Sequence, residues 1–155
     1  MSDLLTPQEL QFWLTFLHAS HAVKQQLAED MYRVNGISIG WYDVLINLYR
    51  GEDGGLRMQD LAERVFMSNS GLTRLLDRMI EEGLVIRDTC AEDRRVFLAV
   101  LTEKGRAMLE ELLPQHQARI RSYLLQHLTA EEMEVMANAL QRVQAGMAAG
   151  KSGGC

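Results

Sequence analysis

A short polar stretch near the middle of the chain carries side chains that can bind nucleic acid. Its members are Ser68, Asn69, Ser70, Thr73, Arg74 and Arg78. Amide and hydroxyl groups pair with base edges in the major groove, and Arg binds both guanine edges and phosphates. We therefore predict that this stretch contacts DNA. The same residues would also suit a solvated helix face in an ordinary helical protein.

Asp93, Arg94 and Arg95 form a second charged group. They lie between two β-prone runs, residues 84–86 and 96–101. The pattern predicts a β-hairpin with a charged tip. A narrow minor groove concentrates negative potential and attracts Arg, while Asp93 can hold one guanidinium through paired hydrogen bonds. A hairpin whose charges only protect its exposed edges is the alternative interpretation.

Two short helices are predicted before this hairpin. Leu61, Ala62 and Val65 recur on one helical face, and Ser68 and Asn69 are good N-cap residues for a second helix. The apolar series of that second helix is Leu72, Leu75, Leu76, Met79 and Ile80, and it stops at Gly83. Two helices with a shared apolar face and an outward polar face predict a helix-turn-helix, and the hairpin makes it a winged one. Residues 56–57 are expected to add a short strand beside the wing.

Longer apolar helices are predicted on both sides of this segment. Thr6, Pro7 and Glu9 form the start of the first one, which we expect to end near Asn35. A scaffold helix follows at about residues 41–49. Caps at Thr102 and Thr129 begin two more, the earlier running to about residue 127 with Pro114 expected to kink or loosen one turn. The apolar surface of these flanking helices exceeds what the central segment can cover, which favours dimerisation over an intramolecular bundle.

The predicted fold class is mainly α with a small β-hairpin wing, a winged helix-turn-helix core flanked by N- and C-terminal dimerisation helices. One domain is expected over residues 1–150, with the DNA-binding core at 37–101 and the dimerisation helices at 7–34 and 102–148. Residues 149–155 are Gly-rich and are expected to form a flexible tail. A two-fold dimer would place two recognition helices ~34 Å apart, which predicts a palindromic DNA site.

The sequence LAERVFMSNSGLTRLLDRMIEEGLVIR, followed by CAEDRR and LTEKG, resembles the MarR family of winged-helix transcriptional regulators. The resemblance covers nearly the whole chain, from about Pro7 to Met147. It implies a homodimer that binds double-stranded DNA at a palindromic site. It also implies release by a small molecule, frequently phenolic, or by an oxidant.

The resemblance also implies an effector site where the first two helices meet the dimerisation helices. The residues of this chain that match that region are Trp13, His18, His21, Trp41 and Tyr42. Their side chains could stack on an aromatic acid and hydrogen-bond to it. Each of them would also suit simple packing in the core.

Charge and composition set limits on these predictions. The 155 residues include 16 Lys and Arg against 21 Asp and Glu, a net charge of −5. Residues 64–106 carry eight basic and seven acidic residues, so the acidic excess lies in the flanking helices. A weakly basic DNA-binding segment implies modest non-specific affinity and a visible salt dependence. No apolar run approaches the roughly 20 residues that cross a bilayer, and the start lacks a signal peptide. We therefore expect a soluble, cytoplasmic protein with no membrane partner.

The most favoured function is sequence-specific regulation of transcription, with repression as the default and activation left open. No phosphate-binding loop or nucleophile motif is present, so we expect neither an enzyme nor a cofactor. A helical adaptor that does not bind DNA is one alternative. A metal sensor could use His18 and His21 with His116 or His127, but family members that bind zinc use positions occupied here by Trp41 and Tyr42. A redox switch could use Cys90, which lies between Arg87 and Arg94, whereas Cys155 ends the chain; neither forms a disulfide or zinc pattern.

Overall fold

Six α-helices and a three-stranded antiparallel sheet make up the described part of the chain, residues 4–51, 55–89 and 95–151 of a computed structural model. The helices and strands follow in the order α1 (Pro7–Asn35), α2 (Ile39–Arg50), β1 (Leu56–Arg57), α3 (Met58–Arg64), α4 (Asn69–Glu81), β2 (Val85–Thr89), β3 (Phe97–Leu101), α5 (Glu103–Tyr123) and α6 (Ala130–Lys151). A single 3-10 turn, Leu125–His127, precedes α6. This architecture confirms the predicted fold class.

The helix-turn-helix is formed by α3 and α4. Ser68 is the N-cap of α4, and its hydroxyl accepts a hydrogen bond from the Gly71 amide at 3.1 Å. Beyond the end of α4, Gly83 adopts a left-handed φ of 71°, which a residue without Cβ accepts at little cost. Leu72, Leu76 and Met79 are fully buried, so the apolar face of α4 is the predicted one.

The wing is a hairpin of β2 and β3, and the sheet order is β1-β3-β2. The register pairs Val85 with Leu101 and Thr89 with Phe97, so β2 extends beyond the predicted residues 84–86. The added residues lie opposite β3, and their pairing with that strand stabilises them although the aspartate among them has a low β-propensity. The predicted short strand is confirmed, since Leu56 pairs with Ala99. Of the predicted segment between the strands, residues 90–94 lie outside the described residues.

The start of α5 is fastened to the start of the wing. The Thr102 hydroxyl donates to the carbonyls of Gly83, at 2.7 Å, and Leu84, at 3.0 Å, and it accepts the Gly105 amide at 3.0 Å. Gly105 itself is buried, and a Cβ atom there would lie 2.2 Å from the Leu84 carbonyl oxygen. Thr102 and Gly105 of the LTEKG sequence therefore hold the start of α5 against the backbone that precedes β2.

The core is centred on α2, as predicted for a scaffold helix, although α2 begins two residues before the predicted start. Val44, Leu45 and Leu48 are buried there with Met31 of α1 and Leu109 of α5, next to the leucines of the helix-turn-helix. Trp41, on the same helix, is only half-buried. The core therefore holds α3 and α4 to α2.

α1 begins at the predicted capping box. The Glu9 amide donates to the Thr6 hydroxyl at 3.2 Å, and the Thr6 amide donates to the Glu9 carboxylate at 2.7 Å. The Thr6 amide and, at 2.8 Å, the Thr6 hydroxyl both donate to the Glu9 carboxylate, and these two hydrogen bonds hold the pKa of Glu9 below its ordinary value. Of the α1 side chains, only Asp30 and Met31 are buried, so the apolar residues in the first half of the helix are exposed within one chain.

The chain divides into two compact units, Met1–Gln117 and Ala118–Cys155. The boundary falls within α5, which is helical through Pro114 and ends at Tyr123, earlier than the predicted residue 127. The 3-10 turn Leu125–His127 lies between the observed and the predicted end of the helix. Such tight turns are common at helix ends and in connections.

α6 begins at the predicted cap. The Thr129 amide donates to the Glu132 carboxylate at 2.8 Å, and the Glu132 amide donates to the Thr129 hydroxyl at 3.2 Å. The helix continues to Lys151, so the prediction of a tail from residue 149 is wrong for its first three residues. Ala149 and Lys151 favour helix, and extending an existing helix adds one hydrogen bond per residue. No helix in the described ranges is both long and apolar enough to cross a membrane.

Candidate nucleic-acid interface

The predicted DNA-contacting residues lie at the start and on the outer face of α4. Asn69, Ser70, Thr73, Arg74 and Arg78 are all exposed, while the opposite face of the helix is buried. The Thr73 hydroxyl donates to the Asn69 carbonyl at 2.8 Å, which fixes its direction along the helix. Ser68 is engaged as the N-cap and lies 3.3 Å from the Ser70 hydroxyl. The structure therefore gathers these six residues on one polar surface.

One flank of α4 faces the wing and carries its acidic residues. Asp77 lies 2.6 Å from Arg87 of β2, with both side chains about half exposed. A groove beside this pair is lined by Asp77, Ile80, Glu81, Ile86 and Arg87. The ion pair links the recognition helix to the wing. Sequence analysis missed it, because a contact between residues ten positions apart on two different elements has no periodic signal.

The other flank of α4 faces the start of α2 and carries the arginines. A groove of about 280 Å³ is lined there by Ser38, Trp41, Met67, Gly71, Arg74, Leu75 and Arg78. Trp41, which the family resemblance assigned to an effector site, therefore lies beside the recognition helix. The two flanks of α4 thus differ in charge.

The wing contributes Arg95, which is exposed just before β3. Asp93 and Arg94, predicted to act with it, lie outside the described residues, as does Cys90. Residues 4–51, 55–89 and 95–151 contain no group of three or more His, Cys, Asp or Glu side chains that could hold a metal ion.

The predicted effector residues line different surfaces of a single chain. Trp13 stacks on Phe16, with ring centroids 6.4 Å apart, on the exposed part of α1, and His18 and His21 are exposed on the same helix. Tyr42 is buried and packs on His116 with ring centroids 4.1 Å apart. Neighbours in an α-helix point about 100° apart, so Trp41 and Tyr42 diverge. Their role in binding an effector stays a prediction.

A cavity that the sequence analysis missed lies on the other side of α2. It encloses about 380 Å³ and is lined by Lys24, Leu27, Ile39, Asp43, Asn47, Arg64, Val65, Phe66 and His116. Burial raises the pKa of Asp43, and the nearby charge of Lys24 opposes that rise. Phe66 has a φ of 54°, unusual for a residue with a side chain. Asp43 is the one acidic residue in the mostly apolar helix IGWYDVLINLYR, and this was the signal that could have revealed the cavity.

Known proteins with similar sequences and structures are transcriptional regulators. A model of the MarR family matches residues 35–96. The regulator MhqR of Bacillus subtilis is 27% identical over 139 residues, which cover 90% of this chain and 93% of MhqR. The crystal structure of AbsC, a MarR family regulator from Streptomyces coelicolor, superposes with a TM-score of 0.87 at 31% identity, covering 96% of this chain and 99% of AbsC. The crystal structure of Sco3205, a MarR family regulator from the same organism in complex with DNA, superposes with a TM-score of 0.86 at 26% identity. The match covers 94% of this chain and 91% of the Sco3205 chain.

Proposed function

Because the chain belongs to the MarR family and is a DNA-binding transcriptional regulator, we propose that it works as a homodimeric repressor on a palindromic operator. A small aromatic ligand releases it. The observation that carries the proposal is the exposed polar face of α4, whose hydrogen-bonding and cationic side chains lie opposite the buried Leu72, Leu76 and Met79.

In this proposal α4 enters the major groove. Asn69, Ser70 and Thr73 near its start contact base edges, with Ser68 holding the end of the helix in shape, and Arg74 and Arg78 bind phosphates or guanine. The wing reaches the neighbouring minor groove through Arg94 and Arg95, with Asp93 orienting a guanidinium. The Asp77–Arg87 ion pair supports this arrangement because it ties the wing to the recognition helix.

The dimer forms through helices at both ends of the chain, residues 7–34 and 102–148, around the core at 37–101. In the first unit, Phe12 is 71% and Trp13 48% exposed on α1. In the second unit, Val135 and Met147 are each 67% exposed on α6. Apolar surface of this extent marks an interaction site in a soluble protein. A two-fold partner would cover it and space two recognition helices ~34 Å apart, one turn of DNA.

The effector binds in the cavity beside α2, near the predicted Tyr42. Lys24 and Arg64 supply positive charge for a carboxylate, and Phe66 and His116 supply rings for an aromatic ligand. The cavity joins α1 and α5 to α2 and α3, so a ligand there contacts both dimerisation and DNA-binding elements. It lowers DNA affinity only to the extent that it binds the released conformation more tightly.

A titration of the purified protein against the DNA upstream of its own gene tests the proposal. Fluorescence anisotropy is recorded at two salt concentrations, with and without salicylate, and light scattering gives the mass of the free protein and of the complex. We expect one dimer per palindromic site, weaker binding at the higher salt, and release by salicylate. Equal affinity for random DNA at both salts would instead favour the adaptor function.

The wing is tested by Arg95→Ala, which should weaken operator binding by about 1 to 3 kcal/mol with the fold intact. Arg50→Ala removes the same charge from an exposed position at the end of α2, outside the wing and the proposed dimerisation helices, and serves as the control. Equal operator affinity of a folded Arg95→Ala variant and wild type would remove the wing from the mechanism.

A further inference from the structure

The groove between the start of α2 and the arginine flank of α4 is held in a fixed shape by close packing. A Cβ atom on Gly40 would lie only 2.9 Å from Leu75 Cδ1, so the two helices approach as closely as a glycine allows. We call this the α2–α4 groove, lined by Ser38, Trp41, Met67, Gly71, Arg74, Leu75 and Arg78. Its floor is fixed by this packing, while the exposed side chains of Ser38, Arg74 and Arg78 form its rim.

Positive charge in the α2–α4 groove is left uncompensated. Within residues 4–51, 55–89 and 95–151, neither Arg74 nor Arg78 forms an ion pair, and no acidic residue lines the groove. Asp77 lies between them in sequence, but it is bound to Arg87 on the other flank. Like charges one turn apart on a helix repel each other. An anion between the two guanidinium groups would attract both of them and so offset that repulsion.

Two further hydrogen-bond donors line the same groove. Ser38 is the N-cap residue of α2, yet its side chain makes no capping hydrogen bond. Trp41 is half-buried, and no described residue accepts a hydrogen bond from its indole N–H. Buried or partly buried tryptophan usually places that N–H against an acceptor. The groove is therefore lined by two cationic residues and by two residues that carry neutral donors, a set that suits a ligand with several acceptor oxygens.

We propose that the α2–α4 groove binds one backbone phosphate of the DNA, with Ser38 and Trp41 as contact residues alongside Arg74 and Arg78. A phosphate offers oxygen acceptors to all four groups, and phosphate contacts fix the position of a protein on the duplex. The groove lies at the flank of α4, beside the Asn69 and Ser70 face proposed to enter the major groove, where the sugar-phosphate backbone borders that groove. This inference rests on the proposed DNA-binding mode, and it assigns Trp41 to the DNA surface and not to an effector site.

Two variants remove the neutral donors with little change in shape. Trp41→Phe keeps an aromatic ring against the core and deletes the indole N–H, and Ser38→Ala deletes an exposed hydroxyl that caps nothing. Each should weaken binding about tenfold, since hydrogen bonds to a charged partner are among the stronger ones. The loss should be similar for the upstream DNA and for a random duplex of the same length, because a phosphate contact carries no sequence information. Arg78→Gln should in addition lower the salt slope by about one.

Tyr49→Phe is the matched control, because it removes one donor from an exposed aromatic side chain at the far end of α2, outside the groove and outside the proposed dimerisation helices. Thermal unfolding of every variant verifies the fold, and Ser38→Ala keeps the test valid if Trp41→Phe is destabilised. Affinity equal to that of Tyr49→Phe would overturn the proposal, and so would a loss confined to the upstream DNA, which would indicate a base contact. If Trp41→Phe bound DNA like wild type but responded less to salicylate, the proposal would be overturned and Trp41 would belong to the effector site. The two proposals fail in different ways. If the proposed function is wrong, the wild-type protein itself shows no preference for the upstream DNA; if only the groove proposal is wrong, the wild type keeps that preference and the variants bind as it does.

Discussion

Gly105→Ala should destabilise the protein, although alanine is the better helix former. Gly105 lies in the first turns of α5, and a Cβ atom there would meet the Leu84 carbonyl oxygen at 2.2 Å. Carbon and carbonyl oxygen rarely approach below ~3.3 Å, so the helix and the start of the wing must separate by about 1 Å. The opposing oxygen belongs to the backbone, so no side-chain rotation can relieve the overlap.

The size of the effect follows from two opposing contributions. Replacing glycine inside a helix gains about 1 kcal/mol. Against this, the Leu84 carbonyl accepts both the amide of Thr102, at 3.1 Å, and its hydroxyl, at 3.0 Å. Displacing it weakens two hydrogen bonds worth about 1 kcal/mol each and adds overpacking strain of about 1 to 3 kcal/mol. If the two hydrogen bonds are about half lost, which costs about 1 kcal/mol in total, the net loss is about 1 to 3 kcal/mol. Each kcal/mol lowers Tm by roughly 2 to 4 °C.

Urea and thermal unfolding at one fixed protein concentration measure this loss. Gly146→Ala is the control, because no described atom lies within 4 Å of a Cβ atom at that helical position. There the helix propensity acts alone, and the variant should gain up to about 1 kcal/mol. A Gly105→Ala protein that unfolds at the same urea concentration as wild type, or a higher one, would refute the packing argument.

Three other substitutions give further tests. Asp77→Asn should change the free energy of unfolding by less than about 1 kcal/mol, since the ion pair is half exposed, but should weaken operator binding in an anisotropy titration because the wing is less firmly oriented. Ser68→Ala removes the N-cap of α4 and should cost about 1 kcal/mol in urea unfolding. Burial raises the pKa of Asp43, so the folded state binds the carboxyl proton more tightly than the unfolded state does. The free energy of unfolding therefore falls as the pH rises from the unfolded-state pKa to the folded-state pKa. Asp43→Asn should therefore be more stable than wild type at pH 7, and the difference should disappear in urea titrations as the pH approaches 4.

Elements with local signals could be predicted from the sequence. The capping boxes at Thr6 and Thr129 and the cap at Ser68 each satisfy backbone groups within three residues, so a short stretch of sequence contains the whole interaction. The apolar spacing of α4 likewise predicts which of its faces is buried. For the candidate interface, this was enough to place six of the predicted residues at the start and on the outer face of one helix.

Features that depend on two distant segments could not be predicted in this way. The Asp77–Arg87 pair depends on the angle between α4 and the wing, and the placement of Trp41 depends on how closely Gly40 lets α2 approach Leu75. The cavity beside α2 gathers residues from four helices. Periodicity along one helix carries no information about these distances, so family resemblance placed Trp41 with Trp13, whereas the structure puts them on different surfaces.

The two-residue strand β1 has a consequence for how the protein folds and opens. The hairpin of β2 and β3 closes over a short loop, but β1 pairs with β3 only after the chain has passed through the entire helix-turn-helix and the wing. Closing that long loop costs more chain entropy, which the short ladder at Leu56 and Arg57 and the burial of Leu56 in the core must offset. We therefore expect the wing to form early as a local unit and its attachment to the segment between α2 and α3 to form late. The mobility of the wing relative to α4 then depends on this two-residue attachment as well as on the Asp77–Arg87 ion pair.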